Sequence, residues 1–150
     1  MAAAEPRLRR ARREDLAALL QLEALFPGDR LSRAGWLRFL RSAGAEIWVA
    51  EAGERLLGNL LLLFRRGNAG ARIYSLIVDP AARGQGLARA LVAQAERSAR
   101  ARGCTYMSLE VRADNRAARQ LYAGLGYRRH AALPGYYEDG GDGERLRKPL

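Results

Sequence analysis

Between Ser75 and Ala90 an apolar segment, Leu76-Ile77-Val78, passes through Asp79-Pro80 into Arg83-Gly84-Gln85-Gly86 and then into a helical residue pattern. The leading amide N–H groups of a helix lack internal partners and carry the positive end of its dipole. Glycines at 84 and 86 let that backbone curl around a ligand with no side chain in the way. The segment reads either as a glycine turn that starts a helix or as an anion cradle suited to a pyrophosphate. It lacks the Gly-Lys-Ser/Thr of a nucleotide P-loop, and Arg89 stands where a dinucleotide fingerprint needs its third glycine. Downstream, Ser108, Glu110 and Arg112 alternate with Met107, Leu109 and Val111. Glu110 is thus a mid-strand carboxylate with apolar neighbours, either salt-bridged on a sheet face or a general base. Tyr122 reads as a core aromatic or a proton donor, and Asn115 as the N-cap of the helix that carries it. Residues 135–144 hold Tyr136, Tyr137 and four acids, Glu138, Asp139, Asp142 and Glu144. They form a polar hairpin tip or a wall that attracts a cationic amine or basic peptide. The acids at 139–144 are too closely spaced for a calcium loop, and lone Cys104 reads as a small buried apolar residue.

These groups need elements to hold them. Residues 7–11 predict a short strand. Leu16, Leu19, Leu20 and the run 22–25 recur at helical spacing behind Glu14-Asp15, and Pro27-Gly28 ends that helix. Ser32 caps a second helix carrying Trp36, Leu37 and Leu40, which stops near Gly44. Residues 47–51 and 56–64 predict strands joined by a turn at 52–55, and 71–78 a third after a turn at 66–70. Residues 87–102 predict a long helix with Leu87, Leu91 and Ala95 on one stripe and Gly103 as its stop. A strand at 105–111, a helix at 116–125 ended by Gly126, and closing strands at 127–133 and 144–148 follow. The order implies an α/β (α+β) fold, a mixed sheet of about six to seven strands with about four helices on its faces.

The chain has 150 residues, 49% hydrophobic and 28% charged, which is globular composition. A single domain over 1–150 is expected, with residues 1–6 flexible. The single cysteine excludes an intramolecular disulfide and a cysteine-rich metal site, and the single histidine, His130, argues against His/His metal spacing, zinc hydrolase chemistry and a Ser-His-Asp triad elsewhere in the chain, so no metal is expected. The net charge of +10 raises encounter with anionic partners. Of the 26 basic residues, however, all but Lys148 are arginine, spread along the chain as coding bias also produces. A polyanionic small molecule is therefore expected in preference to nucleic acid. The longest apolar run falls far below the ~20 residues of a membrane span, and no secretory signal follows Met1, so a cytoplasmic protein with no membrane partner is expected.

Arg83 through Ala88, directly after Val78-Asp79-Pro80, matches Arg/Gln-x-x-Gly-x-Gly/Ala. Asn115, Ala118, Leu121, Tyr122, Gly126 and Tyr127 match Asn-x-x-Ala-x-x-Leu-Tyr-x-x-x-Gly-Phe/Tyr. Both motifs resemble those of the GNAT N-acetyltransferase superfamily. Leu109-Glu110-Val111-Arg112 is similar to its RimI-type branch, which acetylates protein N-termini, and the resemblance spans nearly all of residues 47–137. It implies the GNAT fold and acetyl-CoA as cosubstrate. It further implies that Arg83, Gly84, Gln85, Gly86, Leu87, Ala88 and Arg89 form the pyrophosphate loop and that Asn115 hydrogen-bonds coenzyme A. Backbone groups of Leu76, Ile77 and Val78 would pair with the pantetheine chain beside two splayed strands. By the same resemblance Glu110 is the general base and Tyr122 protonates the departing thiolate. A base is useful because the reacting amine must be neutral. At pH 7 that costs roughly 1 kcal/mol for an α-amine and ~4.6 kcal/mol for lysine.

The resemblance implies acetyl transfer from acetyl-CoA to a primary amine by direct attack in a ternary complex. The favoured acceptor is a protein or peptide N-terminal α-amine, a basic N-terminus among them, bound by Tyr136, Tyr137 and Glu138. A small amine (polyamine, amino acid or aminoglycoside) is the alternative acceptor, and a non-catalytic acyl-CoA-binding module or a basic interaction protein the third reading; a monomer or homodimer is expected. RimI-type chains tend to place tryptophan just after Phe-Pro. Here the stretch is Phe26-Pro27-Gly28-Asp29-Arg30, with Trp36 one helix later, so the acceptor wall departs from that branch.

Overall fold

The computed structural model describes residues 5–26 and 31–150. The departure from Pro27 to Arg30, and residues 1–4 of the segment expected to be flexible, lie outside the described residues. Strands β1 (Arg7–Arg10), β2 (Ala45–Ala52), β3 (Arg55–Phe64), β4 (Gly70–Val78), β5 (Tyr106–Arg112), β6 (Arg128–Leu133) and β7 (Gly143–Pro149) form one sheet in the order β1-β2-β3-β4-β5-β7-β6. Every pairing is antiparallel except β4 with β5. The helices are α1 (Leu16–Glu23), α2 (Arg33–Arg41), α3 (Leu87–Ala101) and α4 (Arg116–Gly124).

Local signals account for the helix ends. Ser32 Oγ accepts the Gly35 N–H at 3.0 Å, as expected of the cap of α2. Asn115 Oδ1 accepts the Ala118 N–H at 3.1 Å and starts α4. Gly103, at φ +82, ends α3 in the left-handed conformation that glycine adopts without penalty. Helix α1 stops at Glu23, before the predicted Pro27-Gly28, because the N–H groups of Leu25 and Phe26 turn back to the carbonyls of Leu22 and Glu23.

Two apolar layers enclose the sheet. Leu60, Leu62, Leu91, Met107, Leu109 and Tyr122 fill the face covered by α3 and α4, while Leu16, Leu19, Trp36, Ile47, Val49 and Leu61 fill the other. Alternation along β5 buries Met107, Leu109 and Val111 in the first layer. Ser108, Glu110 and Arg112 therefore face the side of α1 and α2.

The feature that matters for a site lies between β4 and β5. They pair only from Gly70–Ile73 against Tyr106–Leu109, yet β4 stays bonded to β3 as far as Val78 and β5 to β7 as far as Arg112. Between Leu61 and Leu62 the β3–β4 register shifts, Ser75 and Ile73 being the partners, so that Tyr74 is the extra residue of a bulge that bends β4. Past Ile73 the two strands part, and among the described residues nothing pairs with the β4 edge from Tyr74 to Val78.

Candidate active site

Gly86 caps α3 at φ +74 and ψ +16, and Gly84 has φ +85. Nothing stands within 4 Å of where a Cβ would be at either position, so both glycines leave open space over the turn. The first helical hydrogen bond runs from the Ala90 N–H to the Gly86 carbonyl at 3.0 Å, leaving the N–H groups of Leu87, Ala88 and Arg89 at the mouth of the helix. Asp79 fixes the approach. It accepts the Ala81 N–H at 2.9 Å and pairs with Arg55 at 3.0 Å, and these bonds, the backbone one first, hold its carboxyl below the usual range.

In front of the turn lies a cavity of about 590 Å³ lined by Leu76, Val78, Arg83, Gly84, Gly86, Leu87, Ala88, Arg89 and Asn115, with Phe26, Ala82, Ala117, Ala118 and Leu121 completing the wall. Nine of the predicted cofactor residues thus meet there. Ile77 and Gln85 do not. Strand alternation turns Ile77 away from Leu76 and Val78, and Gln85 is exposed at the tip of the turn. The open glycine turn, free amide groups and unpaired β4 edge fit a diphosphate followed by an extended amide chain, as coenzyme A carries.

A second cavity, about 220 Å³, fills the parting of β4 and β5 and is lined by both Glu110 and Tyr122. Tyr122 is buried, and burial alone pushes its phenol above the usual tyrosine value. Its ring meets that of Tyr127 edge-on, with centroids 5.4 Å apart. Tyr127 in turn donates its hydroxyl to Glu96 at 2.8 Å, and Lys148 reaches both oxygens of Glu96 at 3.0 Å. A buried polar anchor thereby braces the aromatic pair from behind.

Glu110 also lines a third cavity of about 400 Å³ with Glu23, Leu31, Arg72, Tyr74, Ser75, Tyr136, Tyr137 and Glu138. Tyr136, Tyr137 and Glu138 are thus brought to the predicted base. The four acids of that loop do different work. Asp139 pairs with Arg112 at 3.0 Å, Asp142 accepts the Gly135 N–H at 2.9 Å, and Glu144 pairs with Arg119 at 3.2 Å. These three staple the loop, Arg112 lying 4.2 Å from the Tyr137 ring centre. Only Glu138 of the four lines the cavity.

Several lining residues carried no recognisable motif. Glu23 accepts the Trp36 indole N–H at 2.8 Å and the Leu31 N–H at 3.1 Å, tying α1 to the start of α2. Its signal was an acid inside an apolar helix run. Trp36 is fully buried in this anchor, away from the cavity wall. Arg72 and Arg145 both contact Glu110, at 2.9 and 3.3 Å, from neighbouring strands. The predicted base is therefore an ion-paired carboxylate, a state that depends on cross-strand register and leaves no local trace in the sequence.

A profile of the acetyltransferase (GNAT) family matches residues 13–127. The chain is 41% identical over 96 residues to an uncharacterized N-acetyltransferase of Methanocaldococcus jannaschii, covering 63% of this chain and 60% of that protein. It thus spans less than two thirds of that relative. Among solved structures, the ribosomal-protein-S18-alanine N-acetyltransferase of Escherichia coli superposes with a TM-score of 0.87 at 23% identity, covering 97% of this chain and 94% of that one. A NatC complex bound to Gag peptide and CoA matches at 0.85 and 24% identity over 97% and 99% of the two chains. At these identities the structures establish a shared fold.

Proposed function

The chain belongs to the acetyltransferase (GNAT) family, and from that premise we propose that it transfers acetyl from acetyl-CoA to a primary amine, the α-amine of a protein or peptide N-terminus. One observation carries the reading. The three cavities adjoin: Leu76, Asn115 and Ala118 line both the first and the second, and Tyr74, Ser75, Glu110 and Tyr137 line both the second and the third. They follow one another from the helix mouth, past the parted strands, to the carboxylate.

When bound, acetyl-CoA supplies the activated acyl carbon and a thiol leaving group. The N–H groups of Leu87, Ala88 and Arg89, with Arg83, bind its diphosphate in this reading, and the β4 edge aligns the pantetheine. Asn115, whose Oδ1 caps α4, has its amide N–H groups left for the same ligand. Glu110 takes the proton released by the attacking amine, at a carboxylate lone pair or through water. Tyr122, kept protonated by burial, donates to the sulfur as charge develops there. Tyr136, Tyr137 and Glu138, which forms no ion pair among the described residues, receive the cationic acceptor.

The family likeness supports acetyl transfer, and the fold shared with the alanine N-acetyltransferase supports a RimI-type acceptor. A small-molecule amine is the second reading, favoured by an acceptor cavity of about 400 Å³, within the ~300–1,000 Å³ of small-ligand sites. We take residues 1–150 as one catalytic domain in the cytoplasm; among the described residues no helix is long and apolar enough to cross a membrane. Thiol release from acetyl-CoA, measured with peptides bearing free or blocked N-termini and with small amines, tests the assignment. Turnover is expected with free N-termini and not with blocked ones. Turnover with small amines alone would overturn the peptide reading, and none with any amine would overturn acetyl transfer.

A further inference from the structure

We propose that Arg145 of β7 and Arg72 of β4 are positioning residues that hold Glu110 in the pose from which it accepts the acceptor's proton. The inference rests on the acetyl-transfer reading and adds a device to it. Arg145 stands directly opposite Glu110 in the β5–β7 register, and Arg72 lies in the last stretch of β4 still paired with β5. Arg72 Nε donates to Glu110 Oε2 at 2.9 Å, while Nε and Nη2 of Arg145 both donate to Oε1 at 3.3 Å. Each oxygen is thus tied from a different side.

Burial gives the arrangement its purpose. The Glu110 side chain is only 9% exposed, against 39% for Arg72 and 35% for Arg145. A carboxylate so enclosed needs partners to remain in place, and two guanidinium groups whose far ends reach water supply them. The clamp does not close the carboxylate to a proton, because the two oxygens together offer about four lone-pair directions. It fixes where those directions point, at the junction of the parted strands and the acceptor cavity. The two arginines differ in a way that makes the idea testable. Arg72 lines the acceptor cavity, with its guanidinium 5.4 Å from the Tyr74 ring centre, so it also meets the acceptor. Arg145 is absent from the lining of all three cavities and acts only through Glu110.

The test is a double-mutant cycle on the full chain, with steady-state kinetics of thiol release and a thermal melt for each variant. Arg145→Gln is expected to lower kcat about tenfold, within the loss that misplaced catalytic groups produce, with KM for acetyl-CoA unchanged within a factor of about two. In the Glu110→Gln background the same change should cost nothing further, since there is no base left to position. Arg145→Lys, which keeps the charge but loses the planar fork, should recover part of the rate. If Arg145→Gln does not fold, the cycle is run with Arg145→Lys: a loss that vanishes with Glu110→Gln supports the clamp, and one that persists overturns it. A kcat unchanged or raised in Arg145→Gln overturns it as well. A Glu110→Gln variant with full kcat removes the base reading itself. That outcome is distinct from a slow Glu110→Gln beside a fast Arg145→Gln, which removes the clamp alone.

Discussion

Replacing Tyr122 by phenylalanine deletes one oxygen and leaves the ring. Burial is the only influence that shifts this phenol, and no hydrogen bond to its hydroxyl exists among the described residues. Its loss therefore strands no partner, and the edge-on contact with Tyr127 survives. Folding stability should change by less than about 1 kcal/mol, or roughly 2–4 °C in Tm at this chain length. The rate is another matter, because Tyr122 and Glu110 line the same cavity. A positioned proton donor contributes about 10²–10⁴-fold, so kcat should fall at least about 100-fold, equivalent to roughly 2.7 kcal/mol in the barrier. KM for acetyl-CoA should stay put, since Tyr122 is not part of the helix-mouth cavity. The raised phenol also predicts that the wild type shows no alkaline loss of rate from this group below about pH 10, the ordinary tyrosine value. Thiol release followed with a chromogenic trap, from pH 6 upward, reads all of this. A Tyr122→Phe variant with the wild-type melting temperature and kcat within a factor of about two would refute the reasoning.

Four further changes follow from the same geometry. Glu110→Gln should slow turnover at neutral pH and push the optimum alkaline, toward the acceptor amine's own pKa near ~8 for an N-terminus; an unshifted pH–rate profile would exclude a base role. Gly86→Leu meets no atom within 4 Å of its Cβ but must adopt φ +74, so calorimetry should show acetyl-CoA binding lost and stability reduced by only ~1–2 kcal/mol. Glu138→Gln should raise KM for a cationic acceptor while leaving that for acetyl-CoA unchanged, as steady-state titration of each substrate will show. Asp15, held below the usual aspartate value first by the Arg9 guanidinium at 2.8 and 2.9 Å, contributes stability that is present above about pH 4 and lost as pH falls through its lower folded value. Asp15→Asn should thus cost about 1–3 kcal/mol at pH 7 and flatten the acid limb of Tm against pH; melts between pH 2 and 7 decide it.

What could be read in advance was local. Ser32 as a cap, Gly103 as a stop and the alternation that aims Glu110 away from Met107 and Leu109 are written within a few residues of each other, and each appears as expected. The glycine turn was legible for the same reason. Contacts set by register were not. Arg72 and Arg145 lie 38 and 35 residues from Glu110 along the chain, and only the β4-β5-β7 order makes them neighbours. Nor could the sequence say which acids of the loop are free, because Arg112 and Arg119, on other elements, claim Asp139 and Glu144. Ile77 and Gln85 fall outside the helix-mouth cavity because strand alternation and exposure at the turn tip turn their side chains away, which leaves the backbone of Ile77 on the β4 edge and that of Gln85 in the glycine turn.

The central claim is that diphosphate is held at the mouth of α3 while the thioester end lies between the parted strands. A crystal structure of the chain with coenzyme A tests it most directly. The account predicts phosphate oxygens within hydrogen-bond distance of the Leu87, Ala88 and Arg89 amides, and the sulfur in the cavity shared by Glu110 and Tyr122. Diphosphate bound elsewhere, or a sulfur outside that cavity, would contradict it.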